Sequence, residues 1–173
     1  MLGNAWHWGI ILREALAILI TVVEKAPQIL PEKLFDLPVF ATQAEALDYL
    51  RGEVWQWLND MIIVALWGEF ETLLQSKNQS PIVEKRNESL LSCMKDGIVR
   101  PRLRTLFRGL SPEELKYICK RGEMLWDYRS WVAHGRSPYE APERWAPEDA
   151  YEFLLYVLSK ISGSHENDSF HRP

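Results

Sequence analysis

The sequence predicts an all-α protein, a bundle of about five main helices in the manner of small helical domains. Three observations predict it. Apolar residues recur at helical spacing over long stretches. Capping residues, prolines and glycines mark where helices start and stop. No stretch alternates apolar and polar residues with the period of two that a half-buried strand requires. A length of 173 residues suits one domain able to bury a real core, expected over residues 1–161, with 162–173 as a polar, flexible tail.

The first helix is expected over residues 8–25, where Ile10, Ile11, Ala15, Ile18, Leu19, Val22 and Val23 follow helical spacing and Pro27 ends the run. Its apolar stretch 9–23 lacks a preceding positive segment and holds Arg13 and Glu14 in its middle, so it reads as a core helix rather than a leader. Pro27, Pro31 and Pro38 make residues 27–41 an ordered loop, with room for one helical turn at 32–35. Thr42 and Glu45 form a capping box. The helical pattern that follows runs to Lys77, with Gly52 and Gly68 as places to bend or break. Trp55, Leu58, Ile62, Leu66 and Phe70 make one apolar stripe on it. Trp57, Met61, Val64 and Trp67 widen the apolar surface, which makes this helix a central one or one shared with a partner chain.

Ser80-Pro81 starts the next helix, expected to stop at Gly97. Pro101 opens a short helical piece reaching Arg108, closed by Gly109. Ser111-Pro112-Glu113-Glu114 combines a capping box with proline at the first helical position, the clearest helix start in the chain. That helix is expected to reach Ala133, with Gly135 as the left-handed residue that ends it. Residues 136–147 are a loop with three prolines, and Pro147 begins the last helix, to Ile161.

The eight tryptophans call for a large aromatic core or an aromatic interface. The net charge of −4 argues against a nucleic-acid binder as a whole. Its distribution says more: residues 95–121 carry 8 basic and 3 acidic side chains, inside an otherwise acidic chain. Cys93 and Cys119 are far apart in sequence and show no paired spacing, which argues against a disulfide framework and a zinc site and fits a reducing, cytoplasmic setting. No metal, cofactor or membrane partner is expected.

There is no phosphate loop, dinucleotide glycine fingerprint, zinc-protease helix or nucleophile elbow. What remains is Arg129 and His134, five positions apart, followed at once by Gly135. Histidine can take and return a proton near neutral pH, and arginine holds phosphate by a two-pronged contact. Together they suffice in kind for cutting RNA without a metal, the histidine moving protons and the arginine stabilising charge on the phosphate. Positions five apart on an ideal helix point about 140° apart, so convergence needs the helix end near His134 or a second protomer. A helix C-terminus also favours cations through its dipole, which would place both residues there without any chemistry.

At Arg129, Ser130-Trp131-Val132-Ala133, His134 and Gly135 the chain resembles the HEPN superfamily (higher eukaryotes and prokaryotes nucleotide-binding), small helical domains with an Arg-x4–6-His motif at a helix end. The likeness is specific over these seven residues and agrees with the helical layout, the motif falling late with one helix after it. It implies a metal-independent endoribonuclease with 2′,3′-cyclic phosphate products, commonly the toxin of a toxin–antitoxin pair. It also implies a homodimer whose Arg/His pairs face each other across a cleft, and an antitoxin such as a minimal nucleotidyltransferase. Arg129 and His134 are the residues it makes catalytic. The family often has Asn or Asp after the Arg, where this chain has Ser130. Some members carry a modifiable Tyr two residues after the His, where this chain has Arg136, with Tyr139 the nearest tyrosine.

Around this pair, Ser130 and Glu69 are candidate supporting residues, with Glu71 beside the latter. Arg100, Arg102, Arg104, Arg108, Lys116, Lys120, Arg121 and Arg136 are candidate contacts to an RNA backbone, although a basic run of this kind also serves as a solvated face paired with acidic helices. A non-catalytic HEPN-like domain that binds nucleic acid, nucleotide or a protein partner is the second expectation.

Overall fold

The computed structural model describes residues 2–27, 42–76, 80–107, 109–136 and 141–163. They form an all-α protein, with no strand among the described residues. The elements are α1 (Gly3–Lys25), α2 (Gln43–Tyr49), a π-helical turn (Leu50–Val54), α3 (Trp55–Leu74), α4 (Pro81–Asp96), α5 (Pro101–Leu106), α6 (Pro112–Ala133) and α7 (Pro147–Gly163). Five of them have 16 residues or more. The expected turn at 32–35, Arg108 and all but the first two residues of the expected tail lie outside the described residues.

The chain divides into two compact units, Gly3–Ile62 and Ile63–Pro173, the latter with Met1–Leu2. In the first, Thr42 caps α2 by accepting from the Glu45 amide at 3.2 Å. The helical pattern does not break at Gly52 but widens into the π turn around it, a single-turn insertion that keeps the backbone hydrogen-bonded. Gly68, by contrast, stays within regular helix. Arg51 pairs with Glu24 at 2.8 Å, and the Arg13 guanidinium lies 5.4 Å from the Trp55 ring.

Two expectations about this unit are corrected. The first helix starts five residues early and is not a core helix. It buries Gly9, Leu16 and Val23, spaced seven apart on one stripe, while Trp8, Ile10, Ile11, Leu12 and Ile18 are exposed. The physical reason is that α1 is covered by α2 and the π turn along one side, with a Cβ-free approach at Gly9, where an added Cβ would come within 2.9 Å of Ile62. The helix is long and apolar enough to cross a membrane by length and composition alone. The apolar surface of α3 is likewise split: Ile62, Leu66, Trp67 and Phe70 are buried, but Trp57 is 64% and Met61 58% exposed.

The second unit is built on α4 and α6, the most extensively packed pair. Ser80 and Ser111 cap them, the latter with the full reciprocal box, Ser111 N–H donating to Glu114 at 2.9 Å and Glu114 N–H to Ser111 Oγ at 3.1 Å. The helices approach closely because Gly122 has no side chain; a Cβ there would meet the Cβ of Met94 at 2.6 Å. One turn away Cys93 and Cys119, 5.2 Å apart at Cα, are joined as a disulfide. This overturns the expectation of unpaired cysteines. Their 26-residue separation carries no signal of pairing, which arises only when α4 lies against α6. Asn87, buried, donates to the Leu74 carbonyl at 3.0 Å and satisfies an otherwise free C-terminal group of α3. Leu90, Met94, Leu103, Phe107, Leu115, Ile118, Leu125 and Tyr128 fill the core between.

Candidate functional site at the end of α6

The end of α6 follows from local chemistry. His134 is the C-cap, Gly135 takes φ +75°, and Arg136 follows at φ +56°. The Arg136 amide donates to the Trp131 carbonyl at 2.9 Å and the Gly135 amide to Val132 at 3.1 Å. This is the paired closure of a Schellman end, which glycine permits because it has no Cβ to clash in the left-handed region. The imidazole is exposed on the last residue before the chain turns away.

Arg129 is held differently. It is half-buried, its guanidinium carbon lies 5.1 Å from the Trp126 ring, and its buried Nε has no hydrogen-bond partner. No carboxylate pairs with it among the described residues. Trp126 also receives Lys95, whose ammonium lies 4.3 Å from the ring and 2.7 Å from Glu71. Behind the indole sits buried Trp67, 5.4 Å away between centroids. Two cations thus share one indole, an arrangement whose attraction comes from the negative face of the ring. Lys95 and Trp126 carry no motif. The sequence signals for them were the basic stretch that begins at Lys95 and an excess of tryptophan.

α6 stays regular through Ala133 and ends at His134, where the sequence predicts the end. On an ideal helix, positions five apart leave the axis about 140° apart. No hydrogen bond joins them among the described residues. Ser130, half-buried, contributes its carbonyl to the His134 amide at 3.0 Å. Glu69 is half-buried on α3, and no described hydrogen bond or ion pair links it to Arg129 or His134. Glu71 serves Lys95 instead.

The basic stretch is partly engaged. Arg100 pairs with Asp96 at 2.5 Å and Lys120 with Glu123 at 2.6 Å, the latter hydrogen bond raising the lysine's pKa. Arg121 lies 4.1 Å from the Trp145 ring, and Arg136 lies 5.9 Å from Trp131. Arg102, Arg104 and Lys116 are exposed. Arg108 lies outside the described residues. Near the motif, Asp127 has its pKa raised by partial burial and then by Glu123, with Lys120 opposing. Among the described residues no group of His, Cys, Asp and Glu could hold a metal ion. No protein-family model, curated protein or solved structure matches the chain.

Proposed function

We propose that the end of α6 is an RNA-cleaving site of the HEPN type, working without metal, with Arg129 and His134 as its catalytic residues. The observation that carries it is Arg129: a guanidinium drawn under cover, lying over an indole, with a buried Nε–H unsatisfied and no carboxylate paired to it among the described residues. Buried donors are ordinarily satisfied, and an arginine so placed in an acidic chain is a ready receptor for a phosphate oxygen. In this reading His134 takes the proton of a ribose 2′-hydroxyl. The 2′-oxygen then attacks phosphorus, the 5′-oxygen departs with a proton, and a 2′,3′-cyclic phosphate remains. The exposed Arg102, Arg104 and Lys116 would follow the RNA backbone.

The ideal-helix separation of about 140° between positions five apart, with no hydrogen bond joining Arg129 and His134 among the described residues, supports a composite site. Each phosphate would receive Arg129 from one chain and His134 from a second, in a homodimer, and a toxin role held in check by an antitoxin goes with that reading. The same separation favours a second reading, a site that binds RNA or nucleotide without turning it over.

The test is cleavage of RNA by purified protein in EDTA, wild type beside His134→Ala and Arg129→Lys. His134 is exposed, so its variant keeps the fold. Cleavage by wild type alone, leaving cyclic phosphate ends, is the expected result. Loss of wild-type cleavage in EDTA, or equal cleavage by the His134 variant, excludes the proposed chemistry. Binding without cleavage selects the second reading.

A further inference from the structure

A row of aromatic rings lies between α6 and α7, away from the Arg129 motif. Tyr117 meets Tyr156 edge-on at 6.0 Å and Phe153 edge-on at 6.2 Å, and Phe153 meets Trp145 at 5.9 Å. Each end of the row already carries a cation of the chain. Arg121 lies 4.1 Å from the Trp145 ring. Lys160 lies 5.3 Å from the Tyr156 ring and 2.6 Å from Glu114. Between these ends opens a cavity of about 300 Å³, lined by Tyr117, Arg121, Asp149, Glu152, Phe153 and Tyr156. Asp149 and Glu152 have no hydrogen bond or ion pair with any described residue, and Tyr117 is 53% exposed.

We propose that this cavity binds an organic cation, an alkylammonium or guanidinium group, beside the exposed ring of Tyr117 and against the carboxylates of Asp149 and Glu152. The ring row attracts cations through the negative faces of its π-systems, as its two occupied ends display. The two carboxylates supply charge-assisted acceptors that the chain itself leaves unused. Arg121 is drawn onto Trp145 at the edge, so the lining keeps a net negative charge. The volume sits at the small end of ligand pockets, room for one such group and its alkyl chain rather than for a large molecule. The inference rests on this cavity alone and is independent of the RNA-cleavage reading.

Two sources share the chemistry: a free diamine or guanidino-amine, and an arginine side chain of another protein. The experiment is an NMR titration of the full chain with agmatine, with a short capped peptide holding one arginine, and with guanosine monophosphate. Saturable shifts at the amides of Tyr117, Glu152 and Tyr156 are expected with agmatine or the peptide, the tighter of the two identifying the source. Glu152→Gln and Tyr117→Leu should each weaken binding about tenfold, and added salt should weaken it further. Both positions are exposed, and Glu152→Gln keeps size and helix propensity, so the fold is preserved. No saturable shift with either cation at millimolar concentration overturns the proposal. So does binding indifferent to Glu152→Gln, or binding of guanosine monophosphate in place of both cations.

Discussion

The guanidinium of Arg129 and the ammonium of Lys95 meet on one ring, 5.1 Å and 4.3 Å from the centroid of Trp126. Among the described residues Arg129 is thereby oriented by an indole rather than by a carboxylate, with its buried Nε–H left without a partner. Trp126→Leu keeps an apolar side chain but removes the ring. Stability should fall by about 2 kcal/mol, from the lost Trp67 contact and the two cation–π contacts. The Arg129 Nε–H resonance should lose its ring-current shift. Under the proposed chemistry RNA cleavage should fall about tenfold. An unchanged Nε–H resonance would show that Arg129 does not rest on the ring.

Two helical glycines should respond with opposite signs to the same substitution. Gly68→Ala meets nothing within 4 Å, so it should stabilise by about 0.5–1 kcal/mol through helix propensity. Gly122→Ala places a Cβ 2.6 Å from that of Met94 and should destabilise by about 1–3 kcal/mol through overpacking. Urea midpoints of the two variants check this. Equal midpoints would mean that α4 and α6 are not in the close contact described.

Gly135→Ala forces a side chain into φ +75° with open space around it, so strain alone operates. A loss of about 1 kcal/mol is expected, with Gly135→Asn milder because Asn tolerates the left-handed region. Thermal melts of the two variants rank them. The reverse order would refute the assigned helix end.

The Cys93–Cys119 disulfide closes a loop of modest length, with a sequence separation of 26. Replacing both cysteines with alanine should lower stability by about 3.5 kcal/mol in the chain-entropy account. Purified wild-type protein unfolded without reductant should show no reactive thiol by a colorimetric assay. Two titratable thiols per chain would contradict the pairing.

Glu114 accepts from Lys160 at 2.6 Å and from the Ser111 amide, and these contacts, the lysine first, lower its pKa from 4.5 to about 2. A folded value below the unfolded one adds stability that is whole above pH 4.5 and is lost as pH falls from there to about 2. Lys160→Met should therefore destabilise at neutral pH and converge on wild type in acid. Chemical unfolding at about pH 6 and about pH 3 measures the difference. A gap of constant size at both would show that the carboxylate contributes nothing.

The helix ends were legible in the sequence because they are settled within a few residues. Ser111, Pro112 and Glu114 start α6, and Gly97 and Gly135 close α4 and α6 where expected, both in left-handed turns, through backbone hydrogen bonds that span at most five positions. The all-α class followed from the same local signals. The candidate site was half legible: the Arg129/His134 spacing could be read, but not what orients Arg129.

What sits across from what was decided by tertiary structure. Apolar periodicity named one face of α1 and of α3 but not how much of it finds cover, so Trp57 and Met61 are exposed while Trp67 is buried. Cys93 met Cys119, Lys95 met Trp126, and Tyr117 met Tyr156 only when α4, α6 and α7 packed together. A sequence by itself determines its hydrogen-bonded local geometry, because those partners are chain neighbours. It leaves to packing every contact whose partners are tens of residues apart, because such a contact depends on how whole helices fit rather than on any spacing along the chain.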